Sequence, residues 1–341
     1  MKKRLIFTGL LALLFAACCF AQKPYKVVFY NLENFFDTIN DPEVNDDEFT
    51  PEGPKKWNSV KYAKKLGNTE KVLFDIAGID KDYPIVIGVS EVENRSVLED
   101  IIATPKMAPG NYRISHYDSP EARGVDVAFM YRPDVFKLEG SAPIRTQIPS
   151  LPNFKTRDIS TMWGTIDGEP FFFMVAHWPS RLGGQEQSSY LREAAAALSK
   201  QIADSIWRIH PDQGVVVMGD LNDDPFDKSA AKVLGGKKEA KDAAAHGFYN
   251  PWWKLIDKGI GTLAYKGAWN LFDQIIISGN LADKARPGHL KYWKCRVDNF
   301  DFLITREGQR QGSPHRTFSA GVWLNGYSDH FPTEIFLMLE K

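Results

Sequence analysis

Gly219-Asp220-Leu221-Asn222-Asp223 places a carboxylate and a carboxamide at the exit of an apolar run, Val215 to Met218. The run is bounded by Gly214 and Gly219 and reads as a buried strand. Side chains two apart on an extended chain point the same way, so Asp220 and Asn222 serve one site. Asp220 can take a proton or a metal, and Asn222 can donate and accept hydrogen bonds. Other apolar runs end on residues of the same sort: Asn31 and Glu33, Glu91 and Glu93, His177, Asp273, and Asp329 with His330. The set is rich in oxygen donors and has no thiolate pair. It suits Mg2+, Mn2+ or Ca2+ rather than structural zinc. Carboxylates that hold a cation, with histidines that donate to an anion, are the parts of phosphoryl transfer: positioning, charge neutralisation and an activated water.

Elements of both kinds must carry these residues. Val27 to Tyr30 reads as a first strand, and 37–54 as an acidic, Pro-rich loop. Asp41, Glu43, Asn45 and Glu52 loosely follow a calcium-loop spacing. The turn glycine is missing and Pro42 intrudes, so the segment reads as a solvated loop. Apolar spacing predicts a helix over 59–77, stopped by Gly78, and Asn94 caps another that runs to about Ile102. Further strands are expected at 84–90, 126–131, 170–176, 214–218, 274–278 and 334–339, with an Ala-rich helix at 189–209. Several connections are too short for a crossover helix, which argues against a purely doubly wound sheet. Two sheets packed face to face, with helices outside, use the apolar strands better.

The chain has 341 residues, 43% hydrophobic and 25% charged, an ordinary globular composition. Lys2, Lys3 and Arg4 precede an apolar run from Leu5 to Phe20, which predicts a signal peptide cleaved after Ala21. A lipoprotein, with lipid on Cys18 or Cys19, ranks second because Phe15 stands where an aliphatic belongs. The expected product is exported, periplasmic or secreted, with no integral membrane segment and one domain over 22–341. Cleavage removes three of the 42 basic residues and none of the 43 acids, so the formal charge moves from −1 to −4. Such a chain lacks the global basic field of tight nucleic-acid binders, although local cations can still serve one phosphate. Cys295 would be the lone cysteine left, so the core and not a disulfide must hold the fold.

Asn31-Leu32-Glu33, Val89-Ser90-Glu91, Gly124 through Ala128, His177, Gly219 through Asp223, Asp273-Gln274-Ile275 and Ser328-Asp329-His330-Phe331-Pro332 stand in a familiar order. In that order the chain resembles the endonuclease/exonuclease/phosphatase superfamily of DNase I-like phosphoesterases, over about residues 26 to 339. The resemblance implies an α/β (α+β) four-layer sandwich: two packed mixed sheets flanked by helices, the site at one end. It implies Glu91 as a metal ligand, with Asn31 near metal and phosphate. It implies Asp220 as the group that positions or deprotonates water, and Asn222 as its phosphate-orienting neighbour. Asp329 matches an acid that often contacts metal, and Glu33 stands at a more variable position of that kind. His330 matches the phosphate-facing histidine, Asp273 its acid partner, and His177 a second phosphate-facing group. An Asp273–His330 pair favours the imidazolium, a good donor to developing phosphorane charge.

Arg123 and Arg181 flank the site strands as candidate phosphate clamps, or as ordinary loop ion pairs. Glu93 is a second ligand or a charge at the helix start. Asp126 sits in an apolar strand and needs a partner, from Arg123 or a site histidine. Tyr265 and Trp269 read as core-filling, with stacking on a base or sugar as the alternative. The expected function is metal-assisted hydrolysis of a phosphodiester, nuclease-like, with a phosphoester substrate and nucleic acid as a candidate. Alternatives are a phosphatase or lipid phosphodiesterase of the same fold, and a surface-binding module that has lost catalysis. No protein partner is implied.

Overall fold

The computed structural model describes residues 24–78, 82–265, 267–283, 285 and 288–339. The expected signal at 1–21, with Cys18 and Cys19, lies outside the described residues. The strands begin with β1 (Tyr25–Phe35), β2 (Val86–Val92), β3 (Arg113–His116), β4 (Asp126–Tyr131), β5 (Phe136–Ile144) and β6 (Ile159–Ile166). They continue with β7 (Glu169–His177), β8 (Gly214–Asp220), β9 (Gly236–Lys237), β10 (Phe248–Tyr249), and a hairpin of β11 (Leu263–Tyr265) and β12 (Ala268–Asn270). The chain closes with β13 (Asp273–Ser278), β14 (Leu290–Val297), the short pair β15 (Phe318–Ser319) and β16 (Val322–Trp323), and β17 (Thr333–Leu339). The longer helices are α1 (Ser59–Ala77), α2 (Arg95–Ala103) and α3 (Gln185–Ile209).

One sheet runs β14-β17-β1-β2-β4-β3 and the other β5-β6-β7-β8-β13-β10-β9. Both are mixed: β1–β2 and β7–β8 are parallel, while β17, β4 and β13 pair antiparallel with their neighbours. The packing is the expected sandwich. Val216 and Met218 of β8 join the core between the sheets, whereas Val215 and Val217 face outward to Ala195, Ala196 and Trp207 of α3. β7 and β13 alternate in the same way. Burial on both faces is why these strands appear in the sequence as unbroken apolar runs. Where β2 crosses β8 the sheets come close, and a methyl group at Gly88 would collide with Met218 Sδ.

The helix signals hold. Asn58 and Asn94 accept from Lys61 N and Val97 N, and Gly78 closes α1 at φ 76°. Strands β3, β5, β6 and β14 were not anticipated. β5 and β14 are half-exposed and polar, so they lack an apolar run. Missing β3 also hid the partner of Asp126. It is neither Arg123 nor a site histidine but His116 on the adjacent strand, at 3.2 Å, with Ser119 N donating at 2.9 Å.

Candidate active site

Parallel pairing puts the carboxyl ends of β1 and β2, and of β7 and β8, at one end of the sandwich. The antiparallel strands β4, β13 and β17 begin at that same end. Register does the rest: His177 pairs across to Asp220, and Asp220 to Asp273, in one rung. On the facing sheet Asn31 pairs with Ser90, after which the register shifts at a bulge that contains Glu91. Glu33, Asn34, Glu91 and Asn222 all have positive φ, between 50° and 59°. Left-handed backbone at non-glycine residues costs about 1–3 kcal/mol each and persists only where the surroundings enforce it. These four gather at one end, where the bulge turns Glu91 toward β8.

Asn31, His177, Asp220, Asp273 and His330 form one buried cluster, with partly buried Glu91 at its edge. Asn31 Nδ2 donates to Asp220 Oδ2 at 3.0 Å and to Glu91 Oε1 at 3.3 Å. Asn34 N donates to Glu91 Oε2 at 2.9 Å. His177 Nε2 lies 3.4 Å and His330 Nε2 3.8 Å from Asp220 Oδ2. His330 Nδ1 donates to Asp273 Oδ2 at 2.7 Å. Ser328 Oγ donates to Asn31 O at 2.7 Å and accepts from His330 N at 3.1 Å, which ties the start of β17 to the end of β1.

The two histidines are pushed in opposite directions. Burial, then the Arg157 guanidinium, drives the His177 pKa well below the usual range, so its ring is neutral. Burial also opposes charge on His330, but Asp273 and Asp220 outweigh it and hold the imidazolium well above that range. Asp220 is pushed up to about 7, first by burial, against the pull of His330 and with the push of Asp273 and Glu91. A pair of similar groups separated by environment is the arrangement that assigns proton donors and acceptors.

Other expected residues stand beside this cluster rather than in it. Glu33 accepts from Thr317 N at 2.5 Å and pairs with Arg316 at 3.3 Å. Asp329 pairs with the same guanidinium at 2.7 Å, its other oxygen 3.9 Å from His330 Nε2. Asn222 positions Asp220 through its backbone N–H at 3.0 Å, while its Nδ2 donates to Trp178 O at 2.9 Å. Its side chain is thus tied to the main chain just past β7. Arg181 is likewise no free clamp: it donates to Asn222 O at 2.7 Å and to Asp227 at 2.7 Å. Three acids of the 223–227 loop, Asp223, Asp224 and Asp227, pair with it and claim its charge. Arg123 is half-exposed, paired with Glu121 at 3.1 Å, and donates to Asn34 Oδ1 at 3.2 Å. Glu93 accepts from Asp37 N at 2.6 Å, away from Glu91.

Three cations escaped the sequence reading. Buried Arg157 donates to His177 O at 3.2 Å and Trp178 O at 2.9 Å. Arg316 bridges Glu33 and Asp329. Buried Lys65 donates to Thr317 Oγ1 at 2.5 Å and Tyr327 O at 2.8 Å, and burial lowers its pKa to about 8. None sits in a local motif. Each acts by neutralising acids that only the fold brings near.

The site lies within a chain that matches, over residues 26–341, the sequence model of the Endonuclease/Exonuclease/phosphatase family. Comparison with curated proteins gave no match. Among solved structures, a Bacteroides thetaiotaomicron protein of that family is 16% identical with a TM-score of 0.57, covering 93% of this chain and 95% of its own. A mannosyl-6-phosphatase from the same organism is 16% identical with a TM-score of 0.55, covering 92% of this chain and 100% of its own. D. rerio TDP2, complexed with a single-strand DNA product, is 16% identical with a TM-score of 0.53, covering 93% of this chain and 100% of its own. At such identity the solved structures establish a shared fold.

Proposed function

The chain belongs to the endonuclease/exonuclease/phosphatase family, whose members hydrolyse phosphoester bonds, and from that premise we propose that it is an exported, divalent-metal-dependent, nuclease-like phosphodiesterase. Residues 1–21 act as its signal and 22–341 as one catalytic domain. The observation that carries this reading is the convergence of six polar residues, five of them buried and Glu91 partly so, from β1, β2, β7, β8, β13 and the 328–330 turn. TDP2 with its single-strand DNA product supports a phosphodiester over a monoester. A sugar-phosphate monoester is the second reading, favoured by the mannosyl-6-phosphatase of the same fold.

The donor set fits a hard cation: a Glu91 oxygen, an Asp220 oxygen and a His177 nitrogen lie within 4.8 Å of one another. His177 Nδ1 and Asp273 Oδ1 are also buried without a hydrogen-bond partner. Glu91, with Asn31 beside it and Asp329 from the 328–330 turn, would hold Mg2+, or Mn2+ or Ca2+, which would neutralise phosphate charge. Glu33 serves this set from behind, through Arg316.

The protein's own groups divide the remaining work. Asp220, with its pKa near neutrality, accepts the proton of the water that attacks phosphorus. The ester P–O bond breaks and the leaving oxygen keeps the electron pair. His330, held charged by Asp273, donates a hydrogen bond to the phosphoryl oxygen as negative charge grows there. His177, neutral, donates a second without adding charge. Asn31 holds Glu91 and Asp220 in one orientation. The test is hydrolysis of single strands, plasmid DNA, sugar phosphates, inositol phosphates and sphingomyelin with Mg2+, Mn2+ or Ca2+, beside Asp220→Ala. Metal-dependent cleavage of strands, lost in the variant, is expected. Cleavage of monoesters alone would overturn the diesterase reading.

A further inference from the structure

We propose that His116, Asp118 and Asp126 form a zinc site, separate from the catalytic centre, where the 117–125 loop leaves the edge of the first sheet. The site stands apart from the phosphodiesterase reading and does not rest on it.

Local structure brings the three residues together. β3 is an edge strand, and His116 pairs with Ala128 of β4. Asp126 lies two residues before Ala128, so its carboxylate and the imidazole share one face of the sheet. The chain passes from β3 to β4 through 117–125, and Asp118 at the start of that loop meets the same spot. One nitrogen of His116 and one oxygen each of Asp118 and Asp126 lie within 4.8 Å of one another. Two donors are fixed and one is free. The side chains of His116 and Asp126 are 4% and 3% exposed, and that of Asp118 is 89% exposed.

A hydrogen bond alone leaves this arrangement half explained. His116 Nε2 is 3.2 Å from Asp126 Oδ2, slack beside the 2.7 Å between His330 and Asp273. Two ligands about 2.0 Å from one tetrahedral zinc stand about 3.3 Å apart. The pair is already spaced as one edge of that polyhedron. Asp118 Oδ1 is 4.0 Å from His116 Nδ1, beyond hydrogen-bond reach, and its exposure lets it swing onto an ion without disturbing the fold. Ser119 N holds Asp126 Oδ1 at 2.9 Å, yet Ser119 Oγ is buried with no hydrogen-bond partner. A hydrated ion at this spot supplies one.

The donor types choose the metal. Mg2+ and Ca2+ take oxygen throughout, whereas an imidazole nitrogen with two carboxylates suits zinc. Three protein donors leave a fourth position open to the cleft that Asp118, Ser119 and Asp126 line. Acids crowd that cleft, Asp37, Asp41, Glu93 and Glu121 among them, and their field draws a cation in. Bound zinc clamps the start of the 117–125 loop to its end. The same loop carries Arg123, which donates to Asn34 Oδ1, while Asn34 N holds Glu91. The ion therefore stiffens the side of the centre that bears Glu91.

The test is made in Asp220→Asn, because both other groups of three such donors among the described residues contain Asp220. Metal-free protein is dialysed against Zn2+ with Mg2+ in excess, and the zinc retained is counted by atomic absorption. One zinc per chain is expected. A further Asp118→Asn or His116→Gln should weaken binding by about 10–100-fold or more. Co2+ in place of zinc should give the visible absorption of a tetrahedral centre, lost with His116→Gln. Zinc at about a hundredfold above Kd should raise Tm by about 5 °C, and this gain should vanish with Asp118→Asn. No zinc bound, or zinc held equally after Asp118→Asn, overturns the site. Asp118→Asn decides the matter should His116→Gln misfold, since so exposed a side chain does not carry the fold. No readout involves hydrolysis, so failure here leaves the phosphodiesterase reading where it stood.

Discussion

Two clefts border the candidate centre and differ in charge. On the β2–β4 side a cleft of about 560 Å3 is walled by Asp37, Asp41, Glu43, Glu93, Asp118, Glu121 and Asp126, with Lys155 the basic residue. The crowding is physical: burial, reinforced by Asp37, Asp46 and Asp41, lifts the Glu93 pKa to about 8. On the β13–β17 side the cleft holds Trp269, Tyr265, Arg310 and Arg316. Net charge averages the two and conceals both. A polyanion that reaches the centre is repelled on one side and accommodated on the other, so a mildly acidic chain can still present a local path for a phosphate backbone.

The sharpest separation of centre from clefts is Asp220→Ala. Hydrolysis should fall by about 10²–10⁴-fold, the range for a lost general base, while strand binding stays within a few fold. Initial rates and anisotropy on one preparation decide this, and a loss of binding as large as the loss of rate would merge centre and cleft. Asp273→Asn comes next. It removes the charge that keeps His330 protonated, so kcat should drop by about 10–100-fold with KM little changed. Steady-state kinetics read that split.

Charge reversal tests the contrast between the clefts directly. Asp118→Lys changes an acid that is 89% exposed in its side chain, and should raise the on-rate for a single strand a few fold at low salt. Stopped-flow binding at two ionic strengths should show the gain shrinking as salt rises. Arg310→Gln on the other side should lower it. The smallest effect concerns the anchor of the β11–β12 hairpin, Asp224, which accepts from Leu271 N at 2.7 Å. Burial raises the Asp224 pKa from 3.8 to about 6. The folded chain keeps this proton longer than the unfolded one, so the fold loses stability as pH rises from about 4 to 6 and no further above that. Relative to Asp224→Asn, wild-type Tm should decline by a few degrees across that window and run parallel beyond it. Thermal melts at stepped pH check the sign.

Much of the frame was readable in advance. Apolar runs marked the central strands, Gly78 marked the end of α1 and the Asn94 cap the start of α2. The polar residues at the ends of those runs are the ones that meet: Asn31, Glu91, His177, Asp220, Asp273 and His330. What failed was whatever depends on a neighbour distant in sequence. Asp126 needed β3 to supply His116. The ion pairs of Arg316 with Glu33 and Asp329, and of Arg181 with Asp223, Asp224 and Asp227, could not be read either. Arg157 and Lys65 gave no signal, because a buried cation looks like any other lysine or arginine until its partners are placed.

The sequence alone determined which residues could do phosphoester chemistry and that they stand at strand termini, because residue type and apolar periodicity are local properties. Tertiary structure decided which of them touch, which histidine is charged, and where Trp269 faces. Those outcomes depend on strand register and on the summed field of groups brought together from opposite ends of the chain, and neither is written in any local stretch.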